Sequence, residues 1–212
     1  MHKILCIVSF LLRACSNDVL AQQKVVAEAT VVYSLEITDE NGNALPSKAL
    51  QGSSKTLYIK GKDARAELAS PGFLHVTIAN NIDSTAVLLR EAQGNKFITR
   101  FDAKRWRQQN AKYLDITYAP TNDSKVIVGY ECRKYIATQK DGNTFSVYCA
   151  VAITPSAVEN VFQFANIPGF VLEIEQYNKE QKQYVRYTAN SFSLSPVTTS
   201  KFEVPTKGYR EL

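Results

Sequence analysis

The sequence predicts a mainly β fold: one curved antiparallel sheet of about ten to twelve strands, a half-barrel, with two short helices. Three observations predict it. Apolar and polar residues alternate with period two from one end of the chain to the other, the pattern of strands with one buried face. Asn, Asp, Gly and Pro interrupt the alternation at short intervals, so tight turns join the strands into a meander. Eleven Tyr, ten Phe and many Val and Thr suit a pleated surface. An open twisted sheet beyond ~10 strands curls, and two apolar-faced helices would cover its open side. The interior is then either filled by side chains or left partly open for a ligand.

Taken in order, residues 1–21 read as an export leader. MHK supplies a basic start, ILCIVSFLL an apolar run too short to span a bilayer, and VLA a small-residue cleavage pattern before Gln22. A second reading takes LRAC as a lipoprotein signal with Cys15 as the acylated residue, against which Arg13 is a poor fit. Either way the chain is expected to be exported, to the periplasm or the outer membrane, with residues 22–212 forming a single domain and no transmembrane span.

In TVVYSLEI, Val31, Tyr33, Leu35 and Ile37 share one face; ENGNALPSKALQGSSK follows as a long polar loop. TLYIKGKDARAELA gives two strands around GKD, with Leu57 and Ile59 facing Ala64, Ala66 and Leu68. FLHVTIANN, TAVLLRE, NKFITRFD and YLDITYAP continue the series, then KVIVGYECRKYIAT, FSVYCAVAI, FVLEIEQY, QYVRYTANSFSL and a short FEVP. The two helices are DAKRWRQQNAKY, with Asp102 as N-cap, and PSAVENVFQFA, with Ser156 as cap and Val158, Val161, Phe162 and Ala165 at helical spacing.

Cys132 and Cys149 flank a turn at KDGN and are the only thiols beyond the leader. An exported chain with an even pair favours a disulfide, which would stabilise by about 3 kcal/mol. The two fall opposite each other only if the connecting loop has an even number of residues. The alternative is two buried free thiols, since Cys149 shares a face with Phe145, Val147, Val151 and Ile153.

Three stretches carry a family resemblance. SKVIVGYECRKY, NIPGFVLEIE and the closing FEVPTKGY resemble segments of the GLPGLI family and the related domain-of-unknown-function family 4412, exported proteins mostly of Bacteroidota. Asn166, Ile167 and Phe170 depart from the literal GLPGLI motif, which favours the second family. The resemblance implies a fold similar to the outer-membrane lipoprotein carriers and brings no catalytic residues.

Function classes narrow by residue supply. A net charge of +5, with 20 acidic residues among 25 basic ones, does not make the one-sign field of a nucleic-acid binder. His75 is the single histidine beyond the leader, on the expected outer face, so neither a triad nor a His-ligated metal is predicted. Glu173 and Glu175 point to one side of their strand and are expected to face solvent. No enzyme activity, metal or cofactor is expected. Trp106, Phe162, Ile167 and Phe170 are the candidate binding residues, for a lipid, a peptide or another apolar ligand. Lys104, Arg105, Arg107 and Lys112 around Trp106 read as the solvated face of a helix or as a contact for anionic lipid. The competing functional reading is an envelope structural or interaction protein with a filled core and a protein partner.

Overall fold

The computed structural model describes residues 23–45 and 52–212. The leader and Cys15 lie outside the described residues, as does part of the polar loop after Ile37. Two meanders meet in one open sheet of 12 strands. The first runs through β2 (Glu28–Asp39), β3 (Ser54–Lys60), β4 (Asp63–Ser70), β5 (Phe73–Asn80), β6 (Thr85–Ala92) and β7 (Asn95–Phe101) to one edge. The second begins at the far edge with β8 (Thr117–Ile127) and returns through β9 (Tyr130–Thr138), β10 (Thr144–Ala150), β12 (Phe170–Asn178) and β13 (Gln183–Ser193). β13 pairs antiparallel with β2, joining the meanders at mid-sheet. The edges are β8 and the short β14 (Arg210–Glu211), which lies parallel to β7, so the sheet does not close. A separate parallel ribbon joins β1 (Lys24–Val26) to β11 (Ile153–Pro155).

The period-two reading locates most strands, and the hairpin at GKD forms with Leu57 opposite Ala66 and Ile59 opposite Ala64. Three segments differ. KVIVGYECRKYIAT divides between two strands because Val128 (φ 43°) and Gly129 (φ 85°) make a two-residue turn, with Ile127 paired to Tyr130; both turn residues at positive φ match the right-handed twist of a hairpin. YLDITYAP becomes strand only from Thr117, after a 3-10 turn at Ala111–Tyr113. The expected strand FEVP does not form: Phe202 closes a 3-10 turn at Thr199–Phe202 and the residues after it are irregular.

Of the two expected helices, the first forms as α1 (Ala103–Gln109), with Asp102 accepting from the Arg105 amide at 2.8 Å. The second does not form. Residues 156–169 are an irregular strap with a single helical turn, Phe164 N–H to Asn160 C=O at 3.0 Å. Asn160, not Ser156, caps that turn, its side chain accepting from the Phe162 and Gln163 amides. Ser156 donates instead to the Gly61 carbonyl at 2.7 Å. Val158 and Phe164 pack down onto the sheet, so the strap's apolar residues answer the sheet and not a helical face.

Both sheet faces are covered in the first meander. The inner face receives the 102–116 connection and the strap. The outer face carries Val76, Ile78, Leu89 and Ile98, packed under Val204 and Tyr209 of the C-terminal segment. That segment is tied down by Arg65 donating to the Lys201 carbonyl at 2.9 Å and Lys60 donating to that of Val197 at 2.8 Å.

The disulfide does not form. Thr144 pairs with Thr138 across a five-residue loop, an odd number, so Cys132 lies opposite Ala150 and Cys149 opposite Arg133. Neighbouring positions on a strand point to opposite faces, and the two sulfurs leave the sheet on different sides. Both cysteines are free and buried. Cys149 packs with Tyr135, Phe145 and Val147, Cys132 with Ile127, Ala150 and Phe170. Burial pushes the Cys132 thiol up to about 11 and that of Cys149 higher still.

Candidate functional site

The register sets a row of inner-face side chains across four strands: Tyr33 of β2 opposite Lys55 of β3, Lys55 opposite Leu68 of β4, and Leu68 opposite His75 of β5. Above this row lies the strap. Glu159 meets Lys55 at 2.5 Å, and both side chains are largely buried, at 17% and 18% exposure. The Lys55 ammonium also sits 5.5 Å from the Tyr33 ring centre and 5.4 Å from that of Tyr187. Aromatic faces stabilise a partly desolvated cation, and the carboxylate supplies the countercharge without which burying Lys55 would be costly.

Fasteners hold the strap along its length. Asn81 makes a reciprocal pair with the Val158 backbone, accepting at 2.8 Å and donating at 2.9 Å. Asn160 donates to the buried Asn110 at the end of α1 at 2.7 Å, and the Tyr118 hydroxyl of β8 donates to the Gln163 carbonyl. At its return, Gly169 approaches the chain so closely that a Cβ there would lie 2.5 Å from the Ala150 carbonyl oxygen. Gln23, just before β1, donates to the carbonyls of Val151, ahead of the strap, and Pro168, at its end, at 2.8 and 2.9 Å.

Two spaces result. A narrow, mainly apolar cleft is lined by Tyr33, Leu57, Phe164, Ile167, Phe170 and Ile174, with a cavity volume of 30 Å³, room for no more than about two water molecules. Beside it an open groove of 230 Å³ is lined by Leu68, His75, Thr77, Tyr113, Gln163 and Tyr187, sharing the Lys55–Glu159 pair with the cleft. Burial, then Arg90, pushes the His75 imidazole below its ordinary value, with Glu159 acting the other way. Burial, then Glu159, pushes the Tyr33 and Tyr187 hydroxyls up. Groove and cleft therefore present neutral aromatic donors around one matched ion pair.

Of the candidate binding residues, Ile167 and Phe170 come together in the cleft. Phe162 is half-buried on the strap outside both spaces. Trp106 is buried beneath α1, 5.4 Å from Phe101. His75 is not an outer-face residue: it lines the groove, because its apolar neighbours Val76 and Ile78 face the C-terminal segment instead. Lys55, Tyr187 and Glu159 are functional candidates that the sequence does not single out, since β3, β13 and the strap meet only in three dimensions.

Glu173 and Glu175 do share a face, opposite Tyr148 and Ser146 of β10, but Glu173 is 4% exposed and not solvated. Lys125 of β8 reaches both its oxygens at 2.7 and 2.8 Å, and Thr188 donates at 2.7 Å. Glu175 pairs with Arg186, which also reaches Glu36 at 3.1 Å. Each carboxylate is neutralised separately. No helix among the described residues is long and apolar enough to cross a membrane.

No family model matches the chain, and no curated protein matches its sequence. Among solved structures it is similar to PNGF-II in a P21 crystal form, at 14% identity and a TM-score of 0.51 over 88% of this chain and 32% of that one. It is also similar to MucB in the Pseudomonas aeruginosa MucA/MucB complex, at 11% identity and a TM-score of 0.41 over 84% and 56% of the two chains. An outer membrane lipoprotein-sorting protein domain from Vibrio parahaemolyticus matches at 8% identity and a TM-score of 0.23 over 85% and 91%. The first is a likeness of fold, in which this chain spans about a third of the other's length; the second and third are looser.

Proposed function

We propose that the protein is a non-catalytic binding module of the cell envelope that takes part of an apolar or amphiphilic ligand into the open groove beside the strap. The observation that carries this reading is the contrast in volume between the two spaces: 30 Å³ within the cleft and 230 Å³ in the groove. Whole small-molecule ligands occupy pockets of ~300–1,000 Å³, so the groove suits one end of a ligand and the cleft suits none. The export leader expected from residues 1–21 supports the envelope as its place, and the resemblance to the GLPGLI and 4412 families supports the same assignment. The separate neutralisation of Glu173 by Lys125 and of Glu175 by Arg186 supports a non-catalytic role, since a like-charged pair sharing a proton is what acid–base work would use.

A second reading, an interaction protein with a filled core, is favoured by the small cleft. Titration with a dansylated undecanoic acid separates the two. Groove binding predicts saturable one-to-one uptake, weakened tenfold or more by Leu68→Trp, which fills the groove, with the thermal midpoint held. Absence of saturable uptake, or uptake indifferent to Leu68→Trp, favours the filled-core reading.

A further inference from the structure

From the charge on the helical connection we infer that the basic face of α1 and the turn after it form a docking surface for an anionic lipid bilayer. Lys104, Arg105, Arg107 and Lys112 are all exposed within nine positions, with no acidic residue among them. Elsewhere eight cations, Lys55, Lys60, Arg65, Lys96, Arg100, Lys125, Lys134 and Arg186, each meet a carboxylate, and exposed lysines such as Lys62, Lys182 and Lys207 are scattered along the chain instead of clustered. No ion pair among the described residues reaches the four on this connection. The nearest acids in sequence do not neutralise them. Asp102 is committed to the Arg105 amide as N-cap, and Asp115 lies exposed beyond the turn. Asp141, on the loop whose Lys140 amide bonds the Lys112 carbonyl, is held below the usual carboxylate range first by Asn143 and only lastly by Lys112, and that loop adds the exposed Lys140 as a fifth cation.

The surface lacks what a protein partner would need. Specific protein interfaces are built around buried aromatic or aliphatic anchors. Here the one large apolar side chain of the helix, Trp106, is turned inward and 5% exposed, and the exposed neighbours are Ala103, Gln108, Gln109 and Ala111. A polar, cationic surface without an anchor matches a layer of headgroup phosphates, which requires charge and no shape. With Trp106 spent on the core, contact is electrostatic and without insertion. Tyr113, next to Lys112, lines the groove, so docking would set the groove's mouth beside the headgroups. The inference does not depend on groove occupancy.

The test is flotation of the purified protein with vesicles of phosphatidylethanolamine and phosphatidylglycerol in a three-to-one ratio, against pure phosphatidylcholine. Binding to the anionic vesicles at low salt and its loss at high salt are expected. The triple variant Lys104→Gln, Arg107→Gln, Lys112→Gln should weaken partition roughly a hundredfold, about fivefold per charge removed. A control of equal net charge, Lys62→Gln, Lys182→Gln, Lys207→Gln, should stay within about threefold of the parent, because the effect is local to the surface. Equal flotation with both vesicle types, equal loss in both triple variants, or binding to polyglutamate with no binding to anionic vesicles would each overturn the inference.

Discussion

At Gly169 a single hydrogen separates a viable strap from an overlapped one. Its φ is not in the left-handed region, so the requirement is space: a Cβ would stand 2.5 Å from the Ala150 oxygen and 2.9 Å from the Ala150 carbonyl carbon. Backbone of β10 cannot rotate aside as a flexible side chain would, and the strain must be taken by shifting the strap's return or the strand end. Gly169→Ala is therefore expected to lower stability by about 1–3 kcal/mol, read as a fall in the urea midpoint with an unchanged m-value. An unchanged midpoint would mean that the strap's return moves freely. The neighbouring Pro168 contributes differently, offering the carbonyl that Gln23 bonds, which ties the first described residue to the end of the strap. Pro-Gly in NIPGF is thus a turn whose two residues each make a specific long-range contact, while Ile167 and Phe170 on either side fill the cleft.

The strap is the element on which the site depends, and Asn160 is its central fastener. Its amide caps the one helical turn through the Phe162 and Gln163 N–H groups and bonds Asn110, which is 5% exposed. Asn160→Ala leaves the Asn110 oxygen without that partner, at a cost of about 1–3 kcal/mol. The loss is local: amides at Phe162–Phe164 should exchange at least tenfold faster while those of β2 and β13 hold their protection. Uniform acceleration across the sheet would show that the strap and sheet open as one unit.

The strap also marks how far the sequence can be read. Alternation located the strands of the first meander to within a residue or two, because Leu57, Ile59, Ala64 and Ala66 have only one strand period to obey. Spacing alone made 155–165 a helix, since Val158, Val161, Phe162 and Ala165 match that period by coincidence while Asn81, Asn110 and Tyr118 fix the chain from outside it. β1 and β11, three residues each, are too short to show any period. Which side of β5 is inner was equally hidden: the residues that cover Val76 and Ile78 come from the C-terminal segment, more than a hundred positions away. Glu173 looked solvated for the same reason, its Lys125 partner lying on another strand.

At the scale of the molecule, two meanders, residues 28–101 and 117–193, share one seam. β2 and β13 pair from Asp39 opposite Gln183 to Thr30 opposite Ser193, with one irregularity between Ala189 and Ser191. The seam alone is a strand pair such as either meander already contains, and on that ground the halves would be expected to separate. Two further connections oppose this. The α1 connection leaves β7, next to the β14 edge, and reaches β8 at the other edge, and the strap, which belongs to the second meander, closes over Lys55 and Asn81 of the first. Apolar residues from both halves, Tyr33 and Leu57 with Phe170 and Leu172, also fall in one buried cluster. Exposing that cluster would cost about 25 cal/mol for each Å² of apolar surface, so unfolding one half is expected to destabilise the other. The expected outcome is a single cooperative transition in urea, with the fluorescence of Trp106, which reports on the first meander's edge, coinciding with the far-UV circular dichroism of the whole sheet. Leu57→Ala should move both curves together by about 2–5 kcal/mol. Curves that separate, with Trp106 fluorescence changing first, would show the seam acting as a boundary between two independent folding units, and the groove would then lie between parts free to move.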